Sequence, residues 1–563
     1  MKKSLLPIFI LGGILLGTSG CSDWLDVNDN PNEAVQDRIS NDLLLTSVQN
    51  DMNYERVAYA NIHYLAEYAT KSGDYSGTYV FLTGNVSPQN FDDYWSRRYS
   101  RIANLKNIES KAIETGDTGY EGIAKILQVV EFRELVDMFG NVPFTEASQG
   151  QAYLSPKYDD AATIYNELIS IADQAIDLFD ETLANTQYTK GQLTSADIYM
   201  HGDFSEWKQY AAAVELSLLM RISNVKDISS ELKALTAQID FTEFIKGNVT
   251  GNPGYYKGQA TVGGTTYVKM NPKYYLYGYN YLDKEYSGHR SSVPTEEVIG
   301  LLRETNNPLV RVFADPRLYL GNGDDDKANY DRFGLENERY VGVPFGVMTP
   351  TRTAYASKFG FGVTSMTCDQ TTGPTQDLIV MQGSLVGFYL AEAALRGLID
   401  GGDSKAKEYY EAAITSLFNT YETALKSDGN TWPTTAVPQG AHPAITGSAA
   451  EAAAEYLSQD NKQVNWSLMN ENEKMNAIQT QKWLSLYMVD PLEAWSEVRR
   501  TDLPVLHASN SAQFGNKIMA RFMYPNTEKN LNPDNYIGNI NVFEDLIFWD
   551  KQNPELEKST PFL

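Results

Sequence analysis

Apolar residues recur at three- and four-residue steps along much of this chain, a spacing that predicts amphipathic helices. In the clearest segment, 203–223, one stripe carries Phe204, Trp207, Ala211, Val214, Leu218 and Ile222. The same pattern covers the segments 41–69, 92–115, 119–139, 160–182, 376–398, 403–424, 448–459 and 472–500. The chain is therefore predicted to be mostly α.

The pattern changes between about 224 and 375, where Gly, Asn, Pro and Tyr are dense and the helical segments are short. Four tyrosines alternate there with a period of two: Tyr275, Tyr277, Tyr279 and Tyr281. This alternation predicts that the four side chains share one face of a β-strand. A long loop rich in Pro, Thr and Gly follows at about 428–446. We expect a loop-rich, short-strand insertion between two helical parts.

Two helical segments share a spacing of small and aromatic residues. Ala406, Tyr410 and Ala413 follow each other at steps of four and three, and the same steps separate Leu168, Ala172 and Ala175. Tetratricopeptide units use this spacing where two helices pack closely, although ordinary helix packing also places small residues in this way. The sequence predicts a tetratricopeptide-like scaffold of about four helix pairs, with an insertion that bears the binding site.

The first twenty residues have the pattern of a signal peptide. Lys2 and Lys3 precede an apolar stretch from Leu5 to Leu16, which is too short to cross a bilayer as a helix. Small residues then lead into Cys21, and this arrangement resembles the bacterial lipoprotein processing box, in which the cysteine is lipidated. The alternative is an ordinary secretory signal. We expect a signal peptide over 1–20 and a lipid-anchored tether over 21–40.

Composition restricts the class of protein. The 563 residues include 46 Lys and Arg against 72 Asp and Glu, a net charge of −26, so that nucleic-acid binding is excluded as the main function. The two cysteines leave Cys368 without a partner once Cys21 carries lipid, and an unpaired cysteine of this kind is expected to be a small buried side chain. Tyrosine is unusually frequent, with 36 residues against 22 Phe and 8 Trp.

Signatures of catalysis are missing from the sequence. The five histidines have no pair at helical ligand spacing, and neither a Gly-x-Ser-x-Gly elbow nor a Walker loop occurs. Asp26, Asn28 and Asn30 have part of the spacing of a calcium loop, but Pro31 replaces the glycine that the loop requires. We therefore predict no catalytic residue, no metal and no cofactor. A glycosidase would need two carboxylates, which come from distant positions of the chain.

Several motifs together resemble the SusD/RagB family of outer-membrane nutrient-binding lipoproteins. These motifs are Glu134–Phe144, Ser155–Asp159, Gly202–Ser223, Asp315–Arg317, Tyr340–Gly346, Leu390–Gly397, Gln481–Leu484, Glu493–Thr501 and Arg521–Pro525. They run in family order, and Tyr340–Gly346 places the chain in the branch with a Tyr-x-Gly-x-Pro-x-Gly segment. Most of them have structural explanations: Trp207, Trp483 and Trp495 are expected in the core, and Arg221, Arg499 and Arg500 are expected to cap carbonyls or pair with helix carboxylates.

The resemblance implies the architecture and the partners. It implies a helical scaffold over 41–223 and 376–563 around an irregular insertion over 224–375. It also implies a surface lipoprotein of the outer membrane that binds an oligosaccharide, without turnover, and delivers it to a SusC-like TonB-dependent transporter. One alternative is capture of oligopeptides, as in the RagB branch. An alternative of another class is a surface glycoside hydrolase.

Candidate ligand contacts are aromatic residues outside the long helices, because sugar rings stack on aromatic faces while their hydroxyls need polar partners. We predict contacts from Tyr75, Tyr79, Tyr275, Tyr277, Tyr279, Tyr281, Arg352, Tyr355 and Trp432. For the tyrosine run, a hairpin whose aromatic face packs on the helices is the alternative interpretation. For Tyr75 and Tyr79, loop packing is the alternative.

Overall fold

Helices form most of the structure, as the apolar steps predict. The computed structural model describes residues 39–551, except for 59, 78, 189–192, 194, 318–337, 349–354, 367, 428–442, 507–508 and 510–516. The helices of the first part are α1 (Asn41–Ala58), α2 (Ala60–Leu65), α3 (Val80–Thr83), α4 (Asp92–Thr115), α5 (Thr118–Phe139), α6 (Ala161–Ala184) and α7 (Phe204–Ile222). Those of the last part are α15 (Gly383–Leu395), α16 (Gly402–Thr420), α17 (Glu422–Lys426), α18 (Ala449–Ser458), α19 (Glu471–Ser485), α20 (Pro491–Thr501) and α21 (Asn526–Leu531).

The helices between these two parts are shorter. They are α8 (Ser229–Gln238), α9 (Thr242–Lys246), α10 (Pro272–Tyr277), α11 (Ser287–Ser291), α12 (Glu296–Glu304), α13 (Val310–Phe313) and α14 (Phe361–Thr364). The described strands are β1 (Ala69–Lys71), β2 (Asn248–Gly251), β3 (Gln259–Val262), β4 (Thr265–Val268), β5 (Ser292–Pro294) and β6 (Leu378–Gln382). They form antiparallel pairs in the order β1–β5, β2–β6 and β3–β4.

Consecutive long helices pack side by side as tetratricopeptide-like pairs: α4 on α5, α5 on α6, α6 on α7 and α15 on α16. Aspartates cap three of them, since Asp117, Asp160 and Asp203 accept the backbone N–H groups of Tyr120, Thr163 and Ser205 respectively. All six residues of the predicted small-residue spacing are fully buried: Leu168, Ala172, Ala175, Ala406, Tyr410 and Ala413. The predicted mostly α, tetratricopeptide-like fold is confirmed.

A buried ion network joins α7, α15, α19 and α20. Arg221 of α7 donates to Glu493 and Glu497 of α20, with both distances 2.6 Å. Arg500 donates to Glu392 of α15, also at 2.6 Å, and Lys482 of α19 contacts Glu392 and Glu497. We name this network the ionic junction, and its members are Arg221, Glu392, Lys482, Glu493, Glu497 and Arg500. It confirms that Arg221 and Arg500 pair with helix carboxylates.

The remaining hallmark residues also serve the fold. Arg499 donates to the carbonyl oxygens of Asp137 and Ala520, at 2.9 and 2.6 Å. Trp207, Trp483 and Trp495 are buried, and each indole N–H donates within 3.0 Å to an oxygen, those of Asp197, Ala66 and Met519 respectively. The predictions of core tryptophans and of carbonyl capping by Arg499 are confirmed.

Strand pairing attaches the middle of the chain to the helical parts. β5 pairs with β1 in the register Ala69↔Pro294 and Lys71↔Ser292, and β2 pairs with β6, which directly precedes α15. Residues from Asn41 onward form one compact unit. Within the described residues, no helix combines the length and the apolar character that crossing a membrane requires.

Candidate ligand-binding surface

The loop after β1 presents a pair of tyrosine rings. Tyr75 and Tyr79 stack with their ring centroids 5.7 Å apart and their planes 25° apart. Tyr79 also contacts the buried ring of Tyr64, at 5.0 Å, and its hydroxyl donates to the carbonyl oxygen of Ser291 at 3.2 Å. Tyr75 is 44% exposed. Tyr79 is therefore held in place by its contacts with Tyr64 and Ser291, and Tyr75 forms the outer surface of the pair.

The four alternating tyrosines lie on a helix and the turn after it, so the prediction of a shared strand face is wrong. Asn271 caps α10 by accepting the N–H groups of Lys273 and Tyr274, and Pro272 occupies the first turn, where its fixed φ favours a helix. These two start signals outweigh the alternation. Tyr275 and Tyr277 lie in α10, and Tyr279 and Tyr281 follow it.

The helix separates the four rings into different environments. Tyr277 is buried against His63 and Phe359, and its hydroxyl donates to the carbonyl oxygen of Val57. Tyr279 is buried in a core cluster with Met270, Tyr274 and Phe361, and Tyr275 and Tyr281 pack at the rim of this cluster. The structure therefore places Tyr277 and Tyr279 in the core, and leaves Tyr275 and Tyr281 half-buried.

Tyr275 forms a second tyrosine pair with Tyr286, the residue before α11. Their ring centroids are 4.7 Å apart, and the Tyr275 hydroxyl donates to that of Tyr286 at 3.2 Å. Burial, the Tyr286 hydroxyl and the nearby Tyr54 raise the pKa of Tyr275, so this phenol stays protonated. Tyr54 is 42% exposed. Nothing in the sequence singles out Tyr54, and Tyr286 stands out there only as the end of the tyrosine-rich stretch 255–286.

Helix α11 connects the two pairs. Tyr286 precedes its first residue, and its last residue, Ser291, accepts hydrogen bonds from the Tyr79 hydroxyl and the Ser72 N–H. Five residues at about 1.5 Å per residue span about 7.5 Å, so the two pairs flank a short, rigid helix. We name the surface formed by Tyr54, Tyr75, Tyr79, Tyr275 and Tyr286 the tyrosine face.

A fixed carboxylate lies beside the second pair. Glu285 accepts from Nδ1 of His289 at 2.8 Å and from Nζ of Lys358 at 2.5 Å. Burial opposes ionisation of Glu285, but these two hydrogen bonds outweigh it and lower its pKa to about 2. The tyrosine face is thus bordered by a permanent acceptor next to exposed rings and hydroxyls, which is the combination that sugar rings require.

The chain matches, over residues 31–525, the model of the SusD-like family described as "Starch-binding associating with outer membrane". It belongs to that family. The predicted membership of the SusD/RagB family is thereby confirmed. No curated protein matches the sequence.

Solved structures share the SusD-like fold at low sequence identity. A chitin-binding protein superposes with a TM-score of 0.65 at 21% identity, covering 91% of this chain and 100% of its own. A SusD homologue from Bacteroides fragilis gives 0.66 at 18%, covering 92% and 100%. A SusD/RagB family protein from Bacteroides thetaiotaomicron gives 0.65 at 17%, covering 91% and 99%. At these identities the likeness establishes the fold.

The third predicted region of this SusD-like chain contains Tyr355, and Lys358 of the same region donates to Glu285. Tyr355 is half-buried, and its carbonyl oxygen accepts from Arg317 at 3.4 Å. The neighbouring Tyr340–Gly346 segment packs on the start of α12, where the Gly342 N–H donates to Glu296 at 2.5 Å and Val343 pairs with Thr295. This segment therefore has a structural role. Arg352, Trp432 and the lipidation residue Cys21 lie outside the described residues.

The described parts of the chain contain no group of three or more His, Cys, Asp or Glu residues arranged to hold a metal ion. Cys368 is half-buried at the edge of the core cluster, and burial raises the pKa of its thiol to about 12, which keeps it protonated.

Proposed function

We propose that this SusD-like chain is a cell-surface lipoprotein that binds an oligosaccharide on the tyrosine face, without turnover, and delivers it to a SusC-like TonB-dependent transporter. The observation that carries the proposal is the tyrosine face itself, with one stacked and one tilted tyrosine pair at the two ends of α11, beside the ionised Glu285. The family description and the likeness to a chitin-binding protein support the ligand class.

The face provides both kinds of contact that a sugar needs. Tyr75 offers an exposed ring face, and the rings of Tyr275 and Tyr54 offer further apolar area. Phenol hydroxyls and the Glu285 carboxylate can exchange hydrogen bonds with sugar hydroxyls. Because the rings are already paired, binding orders few side chains, and little conformational entropy is lost.

The experiment is a calorimetric titration of the purified chain with starch- and chitin-derived oligosaccharides and with mixed oligopeptides. Binding of an oligosaccharide that is lost in a Tyr75→Ala Tyr275→Ala double variant supports the proposal. Binding of peptides alone would replace it with the RagB-like alternative. Prolonged incubation followed by chromatography tests turnover, and any cleaved product would favour the glycoside hydrolase instead.

Anchoring and partner need separate tests. Cys21→Ala is expected to release the protein into the soluble fraction, and persistent membrane association would contradict the lipid anchor. Affinity purification of the lipidated chain from its own outer membrane is expected to retain a TonB-dependent transporter. Purification without such a barrel would leave a glycan-binding lipoprotein and reject the delivery step.

A further inference from the structure

The hairpin β3–β4 is exposed along its whole length. Its turn is Gly263–Gly264, and both residues have positive φ, 58° and 83°, as tight two-residue hairpin turns require. The register pairs Ala260 with Tyr267 and Val262 with Thr265. No charged residue occurs from 258 to 268, although the whole chain carries a net charge of −26.

The two faces of the hairpin differ at its base. Val268 packs on the core cluster that contains Met270, so its face turns inward. Alternation places Ala260, Val262, Thr265 and Tyr267 on the opposite face. There Val262 is 64% exposed and Tyr267 is 49% exposed. The ring of Tyr267 contacts the ammonium of Lys269, 6.0 Å from its centroid, and about half of the side chain remains open to solvent.

Tyr256 adds a second ring to this outward face. Its N–H donates to the carbonyl oxygen of Lys269 at 2.8 Å, which extends the ladder beyond β3. A Cβ on Gly258 would lie 2.8 Å from the Tyr256 ring, so the ring lies over Gly258, and the Tyr256 hydroxyl donates to Gln259 at 3.3 Å. Tyr256 is 45% exposed. We name Tyr256, Gly258, Ala260 and Tyr267 the hairpin shelf.

The hairpin shelf and the tyrosine face are both attached to the same core cluster. Nζ of Lys257 lies 2.6 Å from Asp283, in the turn that leads to Tyr286. Tyr275 and Val268 both pack against the core cluster of Met270, Tyr274, Tyr279 and Phe361. The hairpin shelf and the tyrosine face are therefore attached to one core cluster.

We propose that the hairpin shelf is a second contact surface for a neutral oligosaccharide, engaged by chains too long for the tyrosine face alone. This inference rests on the proposed function and names its substrate class. Two exposed rings separated by small residues offer a flat apolar surface for sugar C–H faces. The strands themselves carry no charged side chain, and the Lys269 ammonium lies 6.0 Å from the ring centroid of Tyr267. An anionic glycan would meet the negative field of the whole chain, which favours a neutral ligand.

The test is the dependence of affinity on ligand length. Wild-type protein and the variants Tyr267→Thr and Tyr256→Thr are titrated with malto- and chitooligosaccharides from disaccharide to octasaccharide. Threonine keeps the β-propensity of the strand, and circular dichroism checks the fold. We expect each variant to bind the octasaccharide roughly three- to tenfold more weakly and the disaccharide with unchanged affinity. Tyr153→Ala, which removes a tyrosine of similar exposure before α6, is expected to change neither.

The outcomes separate the two proposals. If wild-type protein binds these ligands and the hairpin variants lose nothing, or lose the same factor at every length, the shelf inference is overturned and the proposed function stands. If wild-type protein binds no oligosaccharide, the proposed function fails and the shelf fails with it. Oligogalacturonides of matched length are expected to bind more weakly than the neutral series, and equal or tighter binding would reject the neutral substrate class.

Discussion

The ionic junction and the tyrosine face use polar side chains in opposite ways. In the junction the side chains of Arg221, Glu497 and Arg500 are at most 4% exposed, and each charge is matched by another charge. On the tyrosine face the polar groups are neutral hydroxyls at the rims of exposed rings. The arginines and glutamates of the family motifs thus hold four helices together. The rings of the tyrosine face lie outside those motifs and form the surface that can meet a ligand.

The largest expected effect comes from breaking the ionic junction. Arg221→Met keeps the volume of the side chain but leaves Glu493 and Glu497 with one cation fewer in a buried site. Removing one partner of a buried ionic group costs about 3–5 kcal/mol of unfolding free energy. Urea unfolding followed by circular dichroism measures the loss.

An exposed ion pair provides the matched control. Lys246 and Glu243 lie 2.6 Å apart in α9, with side chains 62% and 83% exposed. Lys246→Met is expected to leave the unfolding midpoint unchanged, because water already solvates both charges. If Arg221→Met and Lys246→Met destabilised the protein equally, the ionic junction would contribute no more to the unfolding free energy than an exposed ion pair does.

A buried acid outside the junction sharpens the comparison. Glu215 of α7 is 5% exposed, its Oε2 has no hydrogen-bond partner within the described structure, and burial together with Asp173 raises its pKa to about 8. In Glu497 burial also opposes ionisation, but Arg500, Lys482 and Arg221 outweigh it and lower the pKa. Burial of a carboxyl thus has opposite consequences with and without cations.

This contrast predicts how stability depends on pH. The folded pKa of Glu215 lies above its unfolded value of about 4.5, so its contribution to stability is lost as pH rises from about 4.5 to 8. Between pH 5 and pH 9, wild-type protein should lose about 1–3 kcal/mol relative to Glu215→Gln. Thermal unfolding of both proteins across this range measures the difference. Glu181→Gln, at an exposed site on α6, should behave like wild type.

The sequence predicted the helical scaffold because apolar steps and buried alanines are local signals. It predicted the roles of Trp207 and Arg499 because large side chains on apolar faces have few alternatives to the core. The partners of Arg221 could not be predicted, since Glu493 and Glu497 lie 272 and 276 residues away along the chain. Among so many acids, only the packed fold selects which ones meet an arginine.

The site was predicted less completely. Tyr75 and Tyr79 were identified because they stand in a Gly- and Ser-rich loop. The alternation at Tyr275–Tyr281 was misread as a strand, although Asn271-Pro272 is a helix start that could have been recognised. The pairing of Tyr275 with Tyr286 depends on how α10 meets α11, which no local pattern encodes.

A smaller effect is expected from truncating the tyrosine face. Tyr75→Ala and Tyr275→Ala each remove one ring of a tyrosine pair and should weaken oligosaccharide binding about five- to tenfold. Because both rings are partly exposed, the unfolding free energy should fall by no more than about 1 kcal/mol. Calorimetric titration and urea unfolding of the same samples separate the two effects. Unchanged affinity in both variants would move the binding site away from this face.

The smallest effect is expected from removing a single hydroxyl group. Tyr79→Phe keeps the stack on Tyr75 but removes the hydrogen bond to the carbonyl oxygen of Ser291, which costs about 0.5–1 kcal/mol of stability. Affinity should fall by no more than about twofold, because the Tyr79 ring, on which Tyr75 stacks, stays in place. Thermal unfolding and titration against wild type measure both quantities. If Tyr79→Phe weakened binding as much as Tyr75→Ala, the attachment of the loop to α11, and not the aromatic surface, would determine affinity. The tyrosine face would then depend on buried polar contacts, as the ionic junction does.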